Sequence, residues 1–151
     1  MRIINEPTAA ALNYAKDRKA NGITEPHVCL VFDFGGGTLD ISVLEINDTE
    51  ITTLSTNGDV NLGGADFDSK ILELCKEDIK KTRAEAGRPV FDWDSNKGKR
   101  ARLRLLEKCK EAKLALVNEV STEVEVESLT GGEGEDDFSY ELTLANFEEK
   151  C

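Results

Sequence analysis

An α/β fold is predicted by three features of the sequence. The run Val28-Cys29-Leu30-Val31-Phe32 is continuously apolar, and two further stretches with strand character, 39–44 and 50–56, follow it. Apolar residues recur at helical spacing at Phe67, Ile71, Leu74, Cys75 and Ile79, and again at Leu105, Cys109, Ala112 and Leu116. Between 123 and 127 glutamate and valine alternate strictly, which is the period of a half-exposed strand. The length of 151 residues is that of one domain able to bury a real core.

Taken in order, Ile3 and Ile4 read as the end of a strand, so the chain opens like a piece of a larger sheet. Pro7 suits the first position of a helix, where its missing N–H costs nothing. That helix should run through Ala9, Ala10, Ala11, Leu12 and Ala15 to about Lys19, with Gly22 as its stop. The apolar run 28–32 predicts a strand buried on both faces. With the alternation of Leu39, Ile41 and Val43 and a turn at Asn47-Asp48, residues 28–56 predict an antiparallel three-strand meander.

A helix should begin near Gly64 and end by Gly87. Residues 88–98 read as a loop in which Trp93 is a packed anchor. A second long helix spans about 99–118, its stripe widened by Leu103 and Leu106. The strand at 123–127 turns at Gly131-Gly132-Glu133-Gly134 and returns through Phe138, Tyr140 and Leu142. Thr143 is placed to cap a last short helix containing Leu144 and Phe147.

Composition narrows the function. Nineteen basic and 30 acidic residues give a net charge of −11, against the basic footprint of a nucleic-acid binder. Eight bases between Lys97 and Lys113 are interleaved with Glu107 and Glu111 and read as a solvated helix face. Glu133 to Asp137 reads as an acidic hairpin tip, and Asn47-Asp48-Thr49 as a plain turn. No apolar run approaches the roughly 18 residues of a membrane span, and no signal peptide is visible. The cysteines, Cys29, Cys75, Cys109 and Cys151, lack zinc spacing and read as reduced thiols of an intracellular protein, three of them core hydrophobes.

The chemistry concentrates at 33–40. Asp33 ends a strand and enters Gly35-Gly36-Gly37-Thr38 before a second strand begins. Glycines bring backbone N–H groups close to a ligand and reach positive φ, and successive N–H groups form an anion concavity. Thr38 adds a hydroxyl, and Asp33 could hold hydrated Mg²⁺ beside phosphates. A glycine-rich hairpin without a ligand is the alternative, and spacing alone leaves both open. The pattern is neither a P-loop nor a dinucleotide fingerprint, since no G-x-x-x-x-G-K-[ST] occurs and a strand, not a helix, follows. Asp33-Phe34-Gly35 matches a kinase triplet without its companion motifs. Gly63-Gly64 precedes a helix whose N-terminus attracts anions, or is an ordinary loop entry. Glu6 could simply complement a helix dipole.

Three ordered motifs carry a resemblance. Arg2-Ile3-Ile4-Asn5-Glu6-Pro7-Thr8-Ala9-Ala10, Val31-Phe32-Asp33-Phe34-Gly35-Gly36-Gly37-Thr38-Leu39-Asp40 and Leu62-Gly63-Gly64-Ala65-Asp66-Phe67-Asp68 make the chain similar to the nucleotide-binding domain of seventy-kilodalton heat-shock chaperones, over essentially all 151 residues. The resemblance implies a partial actin-like ATPase (ribonuclease H-like) fold. Residues 1–60 would supply the crossing helix and inner sheet of the second lobe, and 61–151 an incomplete outer α+β subdomain.

It also implies ATP or ADP with Mg²⁺ as cofactors, and ATP hydrolysis coupled to protein folding in the full-length form. Asp33 and Glu6 would hold the metal through water and, with Thr38, serve catalysis. Gly35, Gly36, Gly37, Thr38, Gly63, Gly64 and Lys113 would bind nucleotide. Exchange factors and co-chaperones are the implied partners, clients would bind through domains outside this stretch, and neither nucleic acid nor membrane is expected. A cytoplasmic location, with the nucleus as alternative, and a stress-response role follow from the same resemblance. Ala65 stands where the family usually carries Glu. Lys110, Lys113, Leu114 and Val117 stand where it reads Glu-x-x-Lys-Arg/Ile-x-x-Ser. The alternative is a catalytically silent module that binds exchange factors or other chaperone chains.

Overall fold

The computed structural model describes residues 3–47, 50–129 and 137–151. They form two compact units, 1–65 and 66–151.

In the first unit, helix α1 (Glu6–Ala20) precedes strands β1 (His27–Phe34), β2 (Leu39–Asn47) and β3 (Glu50–Asp59), which make an antiparallel sheet in the order β1-β2-β3. Ile3 and Ile4 are exposed and belong to no strand, contrary to expectation. Pro7 opens α1 as its sequence requires. The helix ends in paired backbone bonds: Ile23 N–H donates to Arg18 O and Gly22 N–H to Lys19 O, both 3.0 Å, with Gly22 at φ +77°. Only glycine adopts that left-handed conformation cheaply, which is why the helix stops there. Ala11 of α1 is buried against Leu44 and Ile46, and Ala15, Cys29, Val31 and Ile51 pack around them.

Strand β1 departs from its predicted environment. Its residues alternate, and Val28, Leu30 and Phe32 are 58%, 62% and 59% exposed. The reason is topological: β1 is an edge strand and α1 covers one face of it, so a continuous apolar run supplies two apolar faces of which one is covered. Phe32 and Phe34 stack on the uncovered face at 6.2 Å between ring centres. Between β2 and β3 the register shifts at Val43/Leu44, leaving Leu54 without a partner opposite it.

The second unit contains α2 (Gly64–Glu85, its first two residues lying in the first unit), α3 (Asn96–Ala115), β4 (Ser121–Val126), β5 (Phe138–Thr143) and α4 (Leu144–Lys150). Strands β4 and β5 pair antiparallel. The end of α2 repeats that of α1, with Arg88 N–H on Arg83 O, Gly87 N–H on Ala84 O and Gly87 at φ +65°. Helix α3 starts three residues earlier than predicted because Ser95 caps it, its hydroxyl accepting from Gly98 N–H at 2.9 Å. Thr143 caps α4, accepting from Asn146 N–H at 3.1 Å. Trp93 packs edge-on against Phe91, 4.6 Å between ring centres.

One core joins these elements: Ile71, Leu72, Cys75 and Ile79 of α2, Ala101, Leu105, Cys109 and Ala112 of α3, then Leu116, Val124, Val126, Leu129 and Leu142. Leu103 does not widen the α3 stripe; at 68% exposure it faces away, since two residues from Leu105 is about 200° around a helix. Of the eight bases at 97–113, Arg104 is not merely solvated: it donates to the carbonyls of Glu127 and Ser128 at 2.6 and 3.0 Å and so holds the end of β4.

All four cysteines are free: Cys75 and Cys109 are buried, Cys29 half-buried and Cys151 exposed. The Cys75 thiol is pushed far above its ordinary range, first by its hydrogen bond with Cys109 and then by burial. The expected hairpin turn at 130–136 and the turn residues Asp48 and Thr49 lie outside the described residues. Among the described residues no helix is long and apolar enough to cross a membrane.

Two outcomes are expected. Leu105→Ala removes a fully buried side chain at the centre of the second core and should lower stability by about 2–5 kcal/mol in urea denaturation. Thiol labelling of the native chain at pH 8 should spare Cys75 and Cys109 until denaturant is added and modify Cys151, slowed because partial burial raises its thiol.

Candidate functional site

The segment 33–40 is a hairpin whose four-residue loop, 35–38, closes through Gly35 N–H donating to Thr38 O at 2.8 Å. Gly35 is half-buried, while Gly36, Gly37 and Thr38 are exposed. None of the three glycines has positive φ, so the turn itself does not require glycine. A Cβ at Gly36 or Gly37 would meet nothing within 4 Å. Packing among the described residues therefore gives no reason for the absence of side chains there.

The loop's orientation is fixed by the start of α2. Gly64 N–H donates to Gly35 O at 3.0 Å, and Ala65 N–H donates to Gly36 O at 2.7 Å. These are among the helix-start donors that lack an intrahelical acceptor. In a trans peptide the carbonyl and the following N–H point in opposite directions. With both carbonyls turned to α2, the N–H groups of Gly36 and Gly37 face the other way. Among the described residues nothing accepts from either. Two successive backbone donors on one side of a turn are an anion-binding element.

Gly63 is explained by packing. It is buried, and a Cβ there would overlap the backbone of Gly36 and Gly37. Gly63 and Gly64 thus abut the glycine loop and orient it.

Asp33 is half-buried on the α1 side of β1, in line with Cys29 and Val31, and has no ion-pair partner among the described residues. Directly opposite, in register, stands Asp40. Two like charges at facing positions are unfavourable in a sheet. Asp40 is a residue that motif reading did not single out; hairpin register was the available signal, since 34 opposite 39 places 33 opposite 40.

Glu6 is the exposed first residue of α1. Tyr14 lies 5.7 Å from His27 at the start of β1, and Ala10 and Ala11 lie beside Cys29 and Val31. The helix therefore runs antiparallel to β1, which places Glu6 toward the Asp33 end. No group of three or more metal-ligand side chains occurs among the described residues. The hard oxygen donors at this end suit an ion that keeps its waters and takes few carboxylates.

Lys113, in the second unit, forms an ion pair with the buried Asp68 at 2.6 Å, an ionic contact rather than an aligned hydrogen bond. Sequence reading missed this partner because α2 and α3 contribute one residue each.

The glycines can be separated by mutation. Gly63→Ala should cost about 2 kcal/mol or more, because loop backbone would have to move. Gly37→Ala should change stability by less than about 0.5 kcal/mol in the same urea titration.

Comparison with known proteins matches the chain to a family. The family model described as Hsp70 protein matches residues 1–151. The chain is 42% identical over 150 residues to a chaperone protein dnaK of Cyanidium caldarium, covering 99% of this chain and 22% of that protein. It is 41% identical over 152 residues to the chloroplastic heat shock 70 kDa protein 6 of Arabidopsis thaliana, covering 100% of this chain and 19% of that protein. A heat shock protein of Pyricularia oryzae is 40% identical over 153 residues, with 99% of this chain and 22% of that protein covered. The chain spans about a fifth of the length of these relatives. On a match that runs from its first residue to its last, the chain belongs to the Hsp70 family.

Proposed function

We propose that this chain forms one wall of the nucleotide site of an Hsp70-type chaperone ATPase with an actin-like fold, in which the glycine loop grips the phosphates of ATP or ADP. The observation that carries this reading is the pair of backbone donors at Gly36 and Gly37, aimed away from α2, on residues whose missing side chains nothing among the described residues requires. In this reading residues 1–60 are the crossing helix and inner sheet, and 61–151 belong to the outer subdomain.

Asp33 would hold Mg²⁺ through water, and Glu6 would orient a metal-bound or attacking water. Bound Mg²⁺ supplies neutralisation of the phosphate charge. Asp40, opposite Asp33, adds a second carboxylate at the same end. Thr38 donates its hydroxyl to a phosphate oxygen. Gly63 and Gly64, by holding the loop, would sit near ribose and phosphates, and Lys113 would serve the adenosine. Hydrolysis by such a site is positioning plus electrostatic stabilisation, coupled in the full-length form to client folding. The partners are exchange factors and co-chaperones, and the location is the cytoplasm.

A second reading, a catalytically silent module that binds exchange factors or other chaperone chains, is favoured by Ala65, Lys110 and Val117 and by the engagement of Lys113 with Asp68. Single-turnover hydrolysis of ATP by the chain would remove it.

Calorimetry of the chain with Mg-ATP and Mg-ADP tests the first reading. One wall of a cleft should bind weakly, well above micromolar Kd. Gly37→Val should weaken that binding about ten-fold, or ~1.4 kcal/mol, and Asp33→Asn should remove its dependence on Mg²⁺. Undiminished binding by Gly37→Val would overturn the assignment of the loop.

A further inference from the structure

The outer side of β1 is an open sheet edge. Gly35 N–H donates to Thr38 O, so residue 35 and, stepping back by twos, Asp33, Val31, Cys29 and His27 turn their backbone groups toward β2. Val28, Leu30 and Phe32 turn theirs outward, and among the described residues nothing pairs with the N–H or the C=O of any of them. Their side chains are more than half exposed. Such an edge is a template for another strand, which proteins commonly block with lysine, proline or a bulge. The opposite edge, β3, is largely polar and carries the register shift at Val43/Leu44. β1 has neither lysine nor proline and pairs with β2 without a break; its one acid, Asp33, stands near the loop end.

An open groove of about 500 Å³ runs along this edge, between Ala10, Ala11 and Tyr14 of α1 and residues 28–31 of β1. Residues from both faces of β1 line it, so it opens at the edge itself. Helix α1 packs on all three strands and so lies over the middle one. The space above the outer side of β1 is left uncovered.

We propose that this edge pairs with β1 of a second copy of the chain, antiparallel and centred on Leu30. In that register Leu30 exchanges both backbone bonds with Leu30 of the second copy, and Val28 does so with Phe32, so every outward group named above is met. On the uncovered face Val28 stands opposite Phe32 and Leu30 opposite Leu30, apolar against apolar. On the α1 face Cys29 and Val31 of each copy stand opposite Val31 and Cys29 of the other, at the groove. Asp33 stands opposite His27 of the second copy, whereas centring on Val31 would set it opposite Cys29; only the first register places the acid against a basic residue. The two α1 helices then lie about 14 Å apart, three strand spacings, which exceeds the 8–10 Å of packed helices and leaves no clash. The edge is about 27 Å long and, with the helix layer, two layers deep, so pairing buries on the order of 1,000 Å² in all, the lower limit for a specific interface. The dimer is therefore weak, and it closes at two because β3 offers no second edge of this kind. No contact in it involves the glycine loop, so it stands whether or not the chain binds nucleotide.

The test is sedimentation of the whole chain from about 1 to 300 μM, the range in which an interface of this size associates. The mass should rise from monomer to dimer and stop there. Leu30→Lys sets two ammonium groups opposite each other and should weaken association at least ten-fold, while Leu54→Lys, an exposed apolar position on the far edge, should leave it unchanged. Register is read by mild oxidation in a Cys29→Ala, Cys151→Ser background. Leu30→Cys should form a disulfide-linked dimer, since the two positions lie directly opposite, and Phe32→Cys should not. A chain that stays monomeric throughout would overturn the proposal and leave the edge to a strand of another protein. Growth beyond the dimer, equal dissociation by Leu54→Lys, or equally fast crosslinking through Phe32→Cys would overturn it as well. Should Leu30→Lys fail to fold by circular dichroism, the mass of the unaltered chain and the two cysteine variants decide.

Discussion

Two hydrogen bonds, from Gly64 N–H to Gly35 O and from Ala65 N–H to Gly36 O, set the chemistry of the first unit. A glycine-rich hairpin loop has many conformations of similar energy, and ordering it costs backbone entropy. The start of α2 supplies donors that would otherwise lack intrahelical acceptors, and the loop supplies acceptors. Each satisfies the other, and the loop is held in one orientation. Because a peptide plane is rigid, fixing the carbonyls also fixes the donors on the other side. The direction of the two unpartnered donors is thus a consequence of how the back of the loop is anchored. Gly63 belongs to the same device: any side chain there would push the loop off the helix.

Much of this was legible in the sequence, and the gaps have physical causes. Helix ends were visible because Gly22 and Gly87 are needed at left-handed positions. The α3 stripe through Leu105, Cys109 and Ala112 was visible because helical period alone places those residues on one face. The exposure of β1 was not visible, since an apolar run records what both faces could bury and not how many neighbours cover them. Asp33, Gly35, Gly36 and Gly37 could be read as a candidate phosphate site. The role of Gly63 could not, because it depends on a close approach between segments 26 residues apart. Of the two reasons the sequence offered for the loop glycines, positive φ is not realised, and close approach is realised at Gly63, whose missing Cβ admits the backbone of Gly36 and Gly37.

Lys113 marks the limit of transferring a role by motif. Its ammonium sits 2.6 Å from a carboxylate that is 7% exposed. Removing either partner of a buried pair leaves an uncompensated charge, at a cost of about 3–5 kcal/mol. A loss of nucleotide binding on mutating Lys113 would therefore not separate contact with a ligand from loss of the α2–α3 connection. The glycine loop does not share this ambiguity, because side chains added at Gly36 or Gly37 enter open space.

The same criterion separates two kinds of unmet group in the first unit. At the glycine loop the unmet groups are backbone donors at the surface, which water can satisfy, so little stability is lost to keep them. At the α1 end Arg18 Nε and His27 Nε2 are buried and have no hydrogen-bond partner among the described residues. Donors that water already satisfies add little cost to the free chain. A buried polar group left unmet lowers the stability of the folded chain, because it has given up water without gaining a partner.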